Sequence, residues 1–461
     1  LGVFGSRRGS LESLQHQIGM PDTIAAIASP AGTGAVSLTR LSGRDAFKIA
    51  KIAIGGTGLP VKRYAGLRRI RDERGLVIDE GVLVCFQGPG SYTGEDVVEF
   101  TGHGGIVVTR KILERLLELG AEPAAPGEFT QRAFMNGRMD LTQAEAVMDL
   151  ISAQTSLALR SATEQLEGRL GATCEDIRAK LLGATAHLEA YIDFPEEDID
   201  PAVGEILCSN LEDQKSRIEQ LLATADQGRI LREGVRTVIY GKPNVGKSSL
   251  LNRLLGYQRA IVSTREGTTR DTIEEVVNLQ GIPLRLIDTA GIRESDDEIE
   301  QEGIAMTRGQ VARADLVLEV RDLSEAASPS SLELPDGVKH LEIFNKSDLI
   351  DESWRGTGGL KISCETGEGF EQMERAIAEL LALDDQHWGE HSVAVNARHQ
   401  ACLFRACQSL GKAINSLRSG EEPELTALDL RESLTSIGEI AGVVDTEEIL
   451  GEIFGRFCIG K

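Results

Sequence analysis

Eight consecutive residues, Gly241-Lys242-Pro243-Asn244-Val245-Gly246-Lys247-Ser248, follow the order G-x-x-x-x-G-K-S, and an apolar strand-like run, Val235 to Tyr240, leads straight into them. A helix-like run, Ser249 to Leu255, follows. In that strand–loop–helix setting the glycines let backbone N–H groups converge on phosphate oxygens, and the helix N-terminus adds a favourable dipole. Lys247 is suited to reach β- and γ-phosphates and the Ser248 hydroxyl to hold magnesium. The stretch Asn244, Val245, Gly246, Lys247, Ser248 and Ser249 is therefore assigned to a nucleotide.

Three further motifs follow in order. Ser263 and Thr264 precede Gly267-Thr268-Thr269-Arg270-Asp271. Thr269 is the residue to close over magnesium and the terminal phosphate, ordering its loop only while that phosphate is present. An alternating hairpin, Thr272 to Asn278 and Pro283 to Ile287 around Gly281, ends in Asp288-Thr289-Ala290-Gly291. Asp288 is expected behind the magnesium, with the Gly291 N–H facing the γ-phosphate. A strand, Leu341 to Phe344, then runs into Asn345-Lys346-Ser347-Asp348. The Asp348 carboxylate can accept the two donors at guanine N1 and N2, a pair adenine does not offer, so ATP would leave an acceptor unpaired. Ser363-Cys364-Glu365 falls where GTPases place a base-supporting loop, usually Ser-Ala-Lys; only the Ser363 contact carries over. Four motifs in this order identify a GTPase.

One part is absent. Ras-like enzymes follow Asp-x-x-Gly with a glutamine that orients the attacking water; here that residue is Ile292, which has no hydrogen-bonding group. The water must be positioned otherwise. Glu294, Asp296, Asp297, Glu298, Glu300 and Glu302 crowd the loop that follows, and most read as solvated. Asn244, with loop carbonyls from Ser263 to Thr268, can hold a monovalent cation in place of an arginine finger.

The elements that must position these residues divide a 461-residue chain into roughly three domains. Residues 1–19 read as an extension or tail before Met20-Pro21. Residues 20–138 carry short alternating runs (Thr23 to Ala28, Ala35 to Leu41, Val82 to Phe86, Asp96 to Phe100), Gly- and Pro-rich turns and a helical run from Ile106 to Leu119, which predicts an α+β domain. Residues 139–232 turn helical, with Leu166, Leu170, Cys174, Ile177 and Leu181 at three- and four-residue steps. Residues 233–385 alternate strand and helix as a Ras-like α/β domain should, and residues 386–461 return to helical spacing. The economical architecture is multidomain α+β and α/β: one discontinuous helical domain with the GTPase inserted between its halves.

Composition sets limits. With 49 basic against 72 acidic residues the net charge is −23, which argues against a free-standing RNA binder and leaves RNA contact to a local patch or a more basic partner. Seven cysteines, scattered singly, read as reduced thiols of a cytosolic protein. No apolar run reaches the roughly 18 residues of a membrane span.

These motifs, together with Gly94-Glu95-Asp96, Gly102-His103-Gly104-Gly105, Pro126-Gly127-Glu128-Phe129 and the closing Cys458-Ile459-Gly460-Lys461, resemble the MnmE (TrmE) family of tRNA-modification GTPases from about Thr23 onward. The resemblance implies a cytosolic homodimer joined through N-terminal domains. It implies a heterotetramer with a flavin-dependent partner of the MnmG type, and an aminomethyl-type group (carboxymethylaminomethyl) installed at C5 of the wobble uridine of certain tRNAs. The added carbon would come from a tetrahydrofolate derivative, 5-formyl or 5,10-methylene. It further implies potassium at Asn244 and the backbones of Ser263, Arg265 and Thr268, catalysis by Glu300 through water, and Arg293 as a helper of the switch loop. Folate contacts fall on Arg40, Glu99, Arg138 and Lys461. Cys458 is implied to serve modification and not GTP hydrolysis. Two other readings stand beside it: a ribosome-assembly GTPase of the Era or EngA type, disfavoured by the acidity and the N-terminal domain, and a non-catalytic GTP-dependent switch or scaffold.

Overall fold

The computed structural model describes residues 22–193, 203–257, 275–287, 311–323, 334–335, 337–349, 359–381, 395–443 and 447–460. It is multidomain, with two six-stranded sheets and a set of helices. Contacts divide it into one unit of residues 1–148, 171–176 and 437–461, and a second of residues 149–170 and 177–436.

In the first unit the strands are β1 (Thr23–Ile27), β2 (Val36–Gly43), β3 (Gly66–Arg71), β4 (Val77–Phe86), β5 (Val97–His103) and β6 (Glu122–Pro123). They lie in the order β3-β4-β5-β2-β1-β6; β1 and β6 run parallel and the other neighbours antiparallel. Leu41, Leu83 and Phe100 sit on one face. Ile49 of α1 (Ala46–Ala53) and Ile112 and Leu116 of α2 (Ile106–Glu118) pack onto them. Alternation puts Ile24 and Ala26 on the other face, against Phe129 of α3 (Glu128–Met135). The Gly102-His103 stretch is held against β4 by Asp79. Asp79, buried in β4, accepts the His103 N–H at 2.8 Å and lies 2.7 Å from its Nδ1. A Cβ on Gly102 would fall 2.3 Å from the Asp79 carboxylate.

Beneath α3 lies a buried ionic network. The Arg132 guanidinium donates to Glu128 at 2.8 Å and to Glu95 at 3.1 Å. Glu128 also accepts the Ala125 N–H at 2.8 Å, and the Ser42 hydroxyl donates to Glu95 at 2.8 Å. Arg132 and Glu128 have side-chain exposures of 3% and 7%. Charges so far from water persist only when each is paired and hydrogen-bonded.

The second unit begins within α4 (Leu141–Ser152) and continues through α5 (Ser156–Leu166), α6 (Arg169–Asp193, of which residues 171–176 belong to the first unit), α7 (Val203–Ala223) and α8 (Ala225–Glu233). Past the nucleotide module come α11 (Ala397–Ser419) and α12 (Pro423–Ala441), whose residues from Ile437 on, with α13 (Glu447–Gly455), belong to the first unit. Helix α11 opens on a capping box: Asn396 Oδ1 accepts the His399 N–H at 2.8 Å while His399 Nδ1 accepts the Asn396 N–H at 3.3 Å. It closes on Gly420 in the left-handed region. Helices α7 and α11 pack together, burying Leu207, Leu211 and Ile218 on one and Leu403, Leu410 and Ile414 on the other.

The module inserted between α8 and α11 holds the second sheet: β7 (Val235–Tyr240), β8 (Glu275–Leu279), β9 (Ile282–Leu286), β10 (Leu316–Asp322), β11 (Lys339–Asn345) and β12 (Leu360–Lys361). The order is β12-β11-β10-β7-β9-β8, all parallel except the β8–β9 hairpin. Helices α9 (Lys247–Tyr257) and α10 (Phe370–Leu380) cover it, and Leu250, Leu284, Leu318, Ile343 and Met373 share its core. The near-continuous apolar run of β10 is what a strand buried on both faces requires.

Arg132→Leu is expected to destabilise the first unit by about 3 kcal/mol, because the buried Glu128 and the partly buried Glu95 lose their counter-charge. Denaturant titration of the N-terminal unit's transition measures it; an unchanged midpoint would show the network to be dispensable.

Candidate functional site

All three described parts of the nucleotide constellation sit at carboxyl ends of parallel strands, where open α/β sheets gather ligands. The loop 241–246 follows β7, Asn345 ends β11, and Ser363 lies just past β12.

The phosphate loop is tightly constrained. Gly246 has φ +101°, and a Cβ there would stand 2.1 Å from Asn345 Nδ2. Both facts demand glycine. Asn244 adopts φ +65°, a left-handed conformation that asparagine tolerates better than most residues. Val245 is buried, and the Gly246 carbonyl accepts the Leu250 N–H at 2.9 Å, the first bond of α9. Lys247 folds over the loop, donating at 2.8 Å to the carbonyls of Gly241 and Lys242. Burial pushes its ammonium pKa down from the ordinary lysine value. An anion in the loop would reverse that. Ser248 and Ser249 lie exposed on the first turn of α9.

The base-reading side is tied directly to this loop by a buried amide, Asn345. Asn345 is 2% exposed; its Nδ2 donates to the Val245 carbonyl at 2.9 Å and its Oδ1 accepts the Cys364 N–H at 3.1 Å. Lys346, at φ +67°, pairs with Asp322 at 2.8 Å. Asp348 stays exposed, and Ser363 Oγ donates to its Oδ1 at 2.5 Å while accepting the Thr366 N–H at 3.1 Å. One carboxylate oxygen is thus oriented from below, which aims the group toward an incoming pair of donors. Arg253 of α9 donates to the Cys364 carbonyl at 2.9 Å and the Glu365 carbonyl at 3.1 Å, and its guanidinium lies 5.3 Å from the Phe370 ring centre. Burial raises the Cys364 thiol to about 11, so it is a packed, protonated group rather than a nucleophile. Arg253 carried no motif and was legible only from the structure.

Ser263, Thr264, Arg265, Thr268, Thr269, Asp288, Thr289, Ala290, Gly291, Arg293, Glu300 and Lys461 lie outside the described residues.

In the first unit, Arg40 and Glu99 are cross-strand neighbours on β2 and β5, and their side chains pair at 2.9 Å. Both guanidinium contacts fall on Oε1; among the described residues Oε2 accepts no hydrogen bond. The rings of Tyr92 and Phe129 stand 5.3 and 5.5 Å from the guanidinium. The C-terminal tail crosses here: Ile459 bridges Pro126, and Arg40 Nη1 lies 3.5 Å from the Gly460 carbonyl. Gly460, at φ +96°, runs so close to β1 that a Cβ would meet the Ile27 carbonyl at 2.7 Å. Cys458 is exposed just before it. Arg138 is exposed and packs its stem beside Gly94, next to Glu95 of the buried network. The structure therefore brings Arg40, Glu99 and the Ile459-Gly460 stretch together, with two aromatic rings beside the guanidinium. Tyr92, Phe129 and Arg132, which the sequence reading gave no role here, lie in or beside the motifs Gly94-Glu95-Asp96 and Pro126-Gly127-Glu128-Phe129.

Among the described residues no group of three or more His, Cys, Asp or Glu side chains could hold a metal ion, and no helix is long and apolar enough to cross a membrane.

Comparison with known proteins adds the following. A family described as "GTP-binding protein TrmE N-terminus" matches residues 23–138, and one described as "MnmE helical domain" matches residues 141–458. The tRNA modification GTPase MnmE of Akkermansia muciniphila is 50% identical over 446 residues, covering 95% of this chain and 99% of the relative. That of Opitutus terrae is 44% identical, covering 96% and 99%. Among solved structures, the G domain of the T. maritima FeoB iron transporter aligns at 28% identity over 32% of this chain and 98% of that one, with a TM-score of 0.22.

Asp348→Asn is expected to weaken guanine-nucleotide affinity about 100-fold, since hydrogen bonds to a charged group contribute about 1.5–3 kcal/mol each. Competition between GTP and ATP for a fluorescent nucleotide measures it. An unchanged GTP-to-ATP preference would remove Asp348 from base recognition.

Proposed function

The chain belongs to the MnmE family of tRNA-modification GTPases, and from that premise we propose a potassium-dependent GTPase that modifies tRNA together with a flavin-dependent partner of the MnmG type. The reaction installs an aminomethyl-type group at C5 of the wobble uridine of certain tRNAs, drawing its carbon from a tetrahydrofolate derivative. The protein works as a cytoplasmic homodimer. The observation that carries the nucleotide half is the buried Asn345 amide, which joins phosphate loop and base-reading loop into one receptor.

Magnesium fits the donors available: Ser248 and Thr269 supply hydroxyls and leave the remaining positions to phosphate oxygens and water, the coordination magnesium favours. When bound, it neutralises charge at the terminal phosphates. Asn244 and the backbones of Ser263, Arg265 and Thr268 hold the potassium ion. Ile292 leaves the attacking water without a Ras-type amide, and Glu300 positions it instead, with Arg293 supporting the loop. Asp288, Thr289, Ala290 and Gly291 complete the proposed GTP set on the strength of their motif.

For the folate half, the support is the chemistry around Arg40. Tyr92 and Phe129 offer faces for a flat ring, the open Glu99 Oε2 suits pterin N–H donors, and Arg138 and Lys461 suit the glutamate tail. The exposed Cys458 stands beside that site on a tail the fold holds down. Dimerisation through this unit is supported by apolar side chains left exposed on its sheet, Val36 and Val82 among them.

GTP turnover is expected to rise at least tenfold when sodium is replaced by potassium, in keeping with the scale of a transition-state charge contact. Glu300→Ala should slow hydrolysis about 100-fold, typical of a group that moves or aligns a reacting proton, while GTP still binds. Equal rates in both salts, or lost binding in the variant, would overturn these assignments. Cys458→Ser should keep GTPase activity and abolish the modified nucleoside in tRNA from a deletion strain; mass spectrometry of digested tRNA that still found it would discard the cysteine's role.

A further inference from the structure

Residues 62–74 carry six basic residues against two acidic ones, in a chain whose whole balance is 49 basic to 72 acidic. The segment forms the approach to β3, the strand itself and its hairpin turn. It lies at the end of the sheet, where β3 pairs with β4 alone. Resting on the family reading above, we infer that this edge is the tRNA-binding surface of the N-terminal unit, contacting the phosphate backbone and one unstacked base.

The way the cations are held argues for this. Arg63 donates to the Gly90 carbonyl at 2.8 Å, Arg68 to the carbonyls of Gly58 and Leu67 at 2.8 Å each, and Arg71 to the Gly75 carbonyl at 2.8 Å. Lys62 donates to the Gln87 amide oxygen. These partners are neutral. They order the side chains without cancelling their charge, and each guanidinium keeps further donors for a second acceptor. Arg69 and Arg74 are the two with carboxylate partners, Glu80 at 3.2 Å and Glu73 at 3.7 Å, both solvent-exposed pairs that a phosphate can displace.

A second observation selects nucleic acid over other anions. Tyr64, in the middle of the run, is 68% exposed and takes no hydrogen bond through its hydroxyl from a described residue. Cations interleaved with an accessible ring match the stacking-plus-backbone mode of single-stranded RNA recognition. Basic side chains on an edge strand also deter strand-to-strand aggregation, but that role does not call for an exposed tyrosine among them.

The test uses the full-length chain and an unmodified tRNA transcript with uridine at the wobble position, with affinity measured across a salt series. The triple variant Arg63→Gln, Arg68→Gln, Arg71→Gln is expected to lose at least tenfold in affinity at low salt. Its slope of log affinity against log salt should flatten by about 2, from roughly 0.7 per phosphate contact on a single strand. The corresponding triple lysine variant should retain most of the slope. Tyr64→Ala should weaken binding about tenfold with the slope unchanged, the scale of one stacked base. In the unsubstituted chain, ultraviolet crosslinks should map to residues 62–74, which keeps the proposal testable should the variants misfold. Unchanged affinity and slope in the glutamine variant, or self-association of that variant with tRNA binding intact, would overturn the inference and leave edge protection. That result would leave the family's activity untouched, whereas loss of tRNA modification by the unsubstituted chain would refute the reading beneath it.

Discussion

A buried amide, Asn345, joins the phosphate loop directly to the loop beyond β12. Asn345 spends both ends of its side chain on backbone groups, one in the phosphate loop and one beyond β12. Each bond is worth about 1 kcal/mol net, yet leaving either buried partner unsatisfied costs about 1–3 kcal/mol. The amide also sets the identity of its neighbour, because Gly246 approaches it too closely for any side chain. Lys346, Asp348 and Ser363 are then placed by their chain proximity to these anchored points.

The N-terminal unit relies on a different bond type. Its sheet core is apolar, but the layer between sheet and α3 is built from Arg132, Glu128, Glu95, Ser42 and Thr93. Such a network is a poor source of raw stability and a strong source of geometric specificity when every member is paired. It fixes the 93–96 turn and the 125–128 turn, between which the Arg40 site and the tail lie.

Most strands and long helices were legible in the sequence because burial on one face imposes a period. Ile106–Glu118 shows it plainly, while the interior strand Val235–Tyr240 shows instead the apolar run of a strand buried on both faces. Strand β3 did not, since Ile70 alone of its side chains is deeply buried and Arg68, Arg69 and Arg71 surround it. The short α1 was passed over although Ala46, Ile49, Ala50 and Ala53 fall at helical spacing; alanines carry too little contrast to announce a face. The phosphate and base motifs were readable because their chemistry is local. Arg40 pairing with Glu99, or Arg132 with Glu95, depends on strand register and on contacts across many residues, which no local pattern encodes. The fold class and family follow from the motifs together, while the potassium, folate and partner roles rest on likeness to relatives.

Arg253 bears on how the two sides of this module are linked. It grows from the helix that begins at the phosphates, yet its hydrogen bonds and ring contact end under the base-side loop. With Asn345 bridging the same two regions from the other side, the cradle is closed by two struts rather than one. Both contacts tie the loop beyond β12 to the region around the phosphate loop, so a displacement on the base side is passed to the phosphate side through packed, hydrogen-bonded groups rather than through a flexible link.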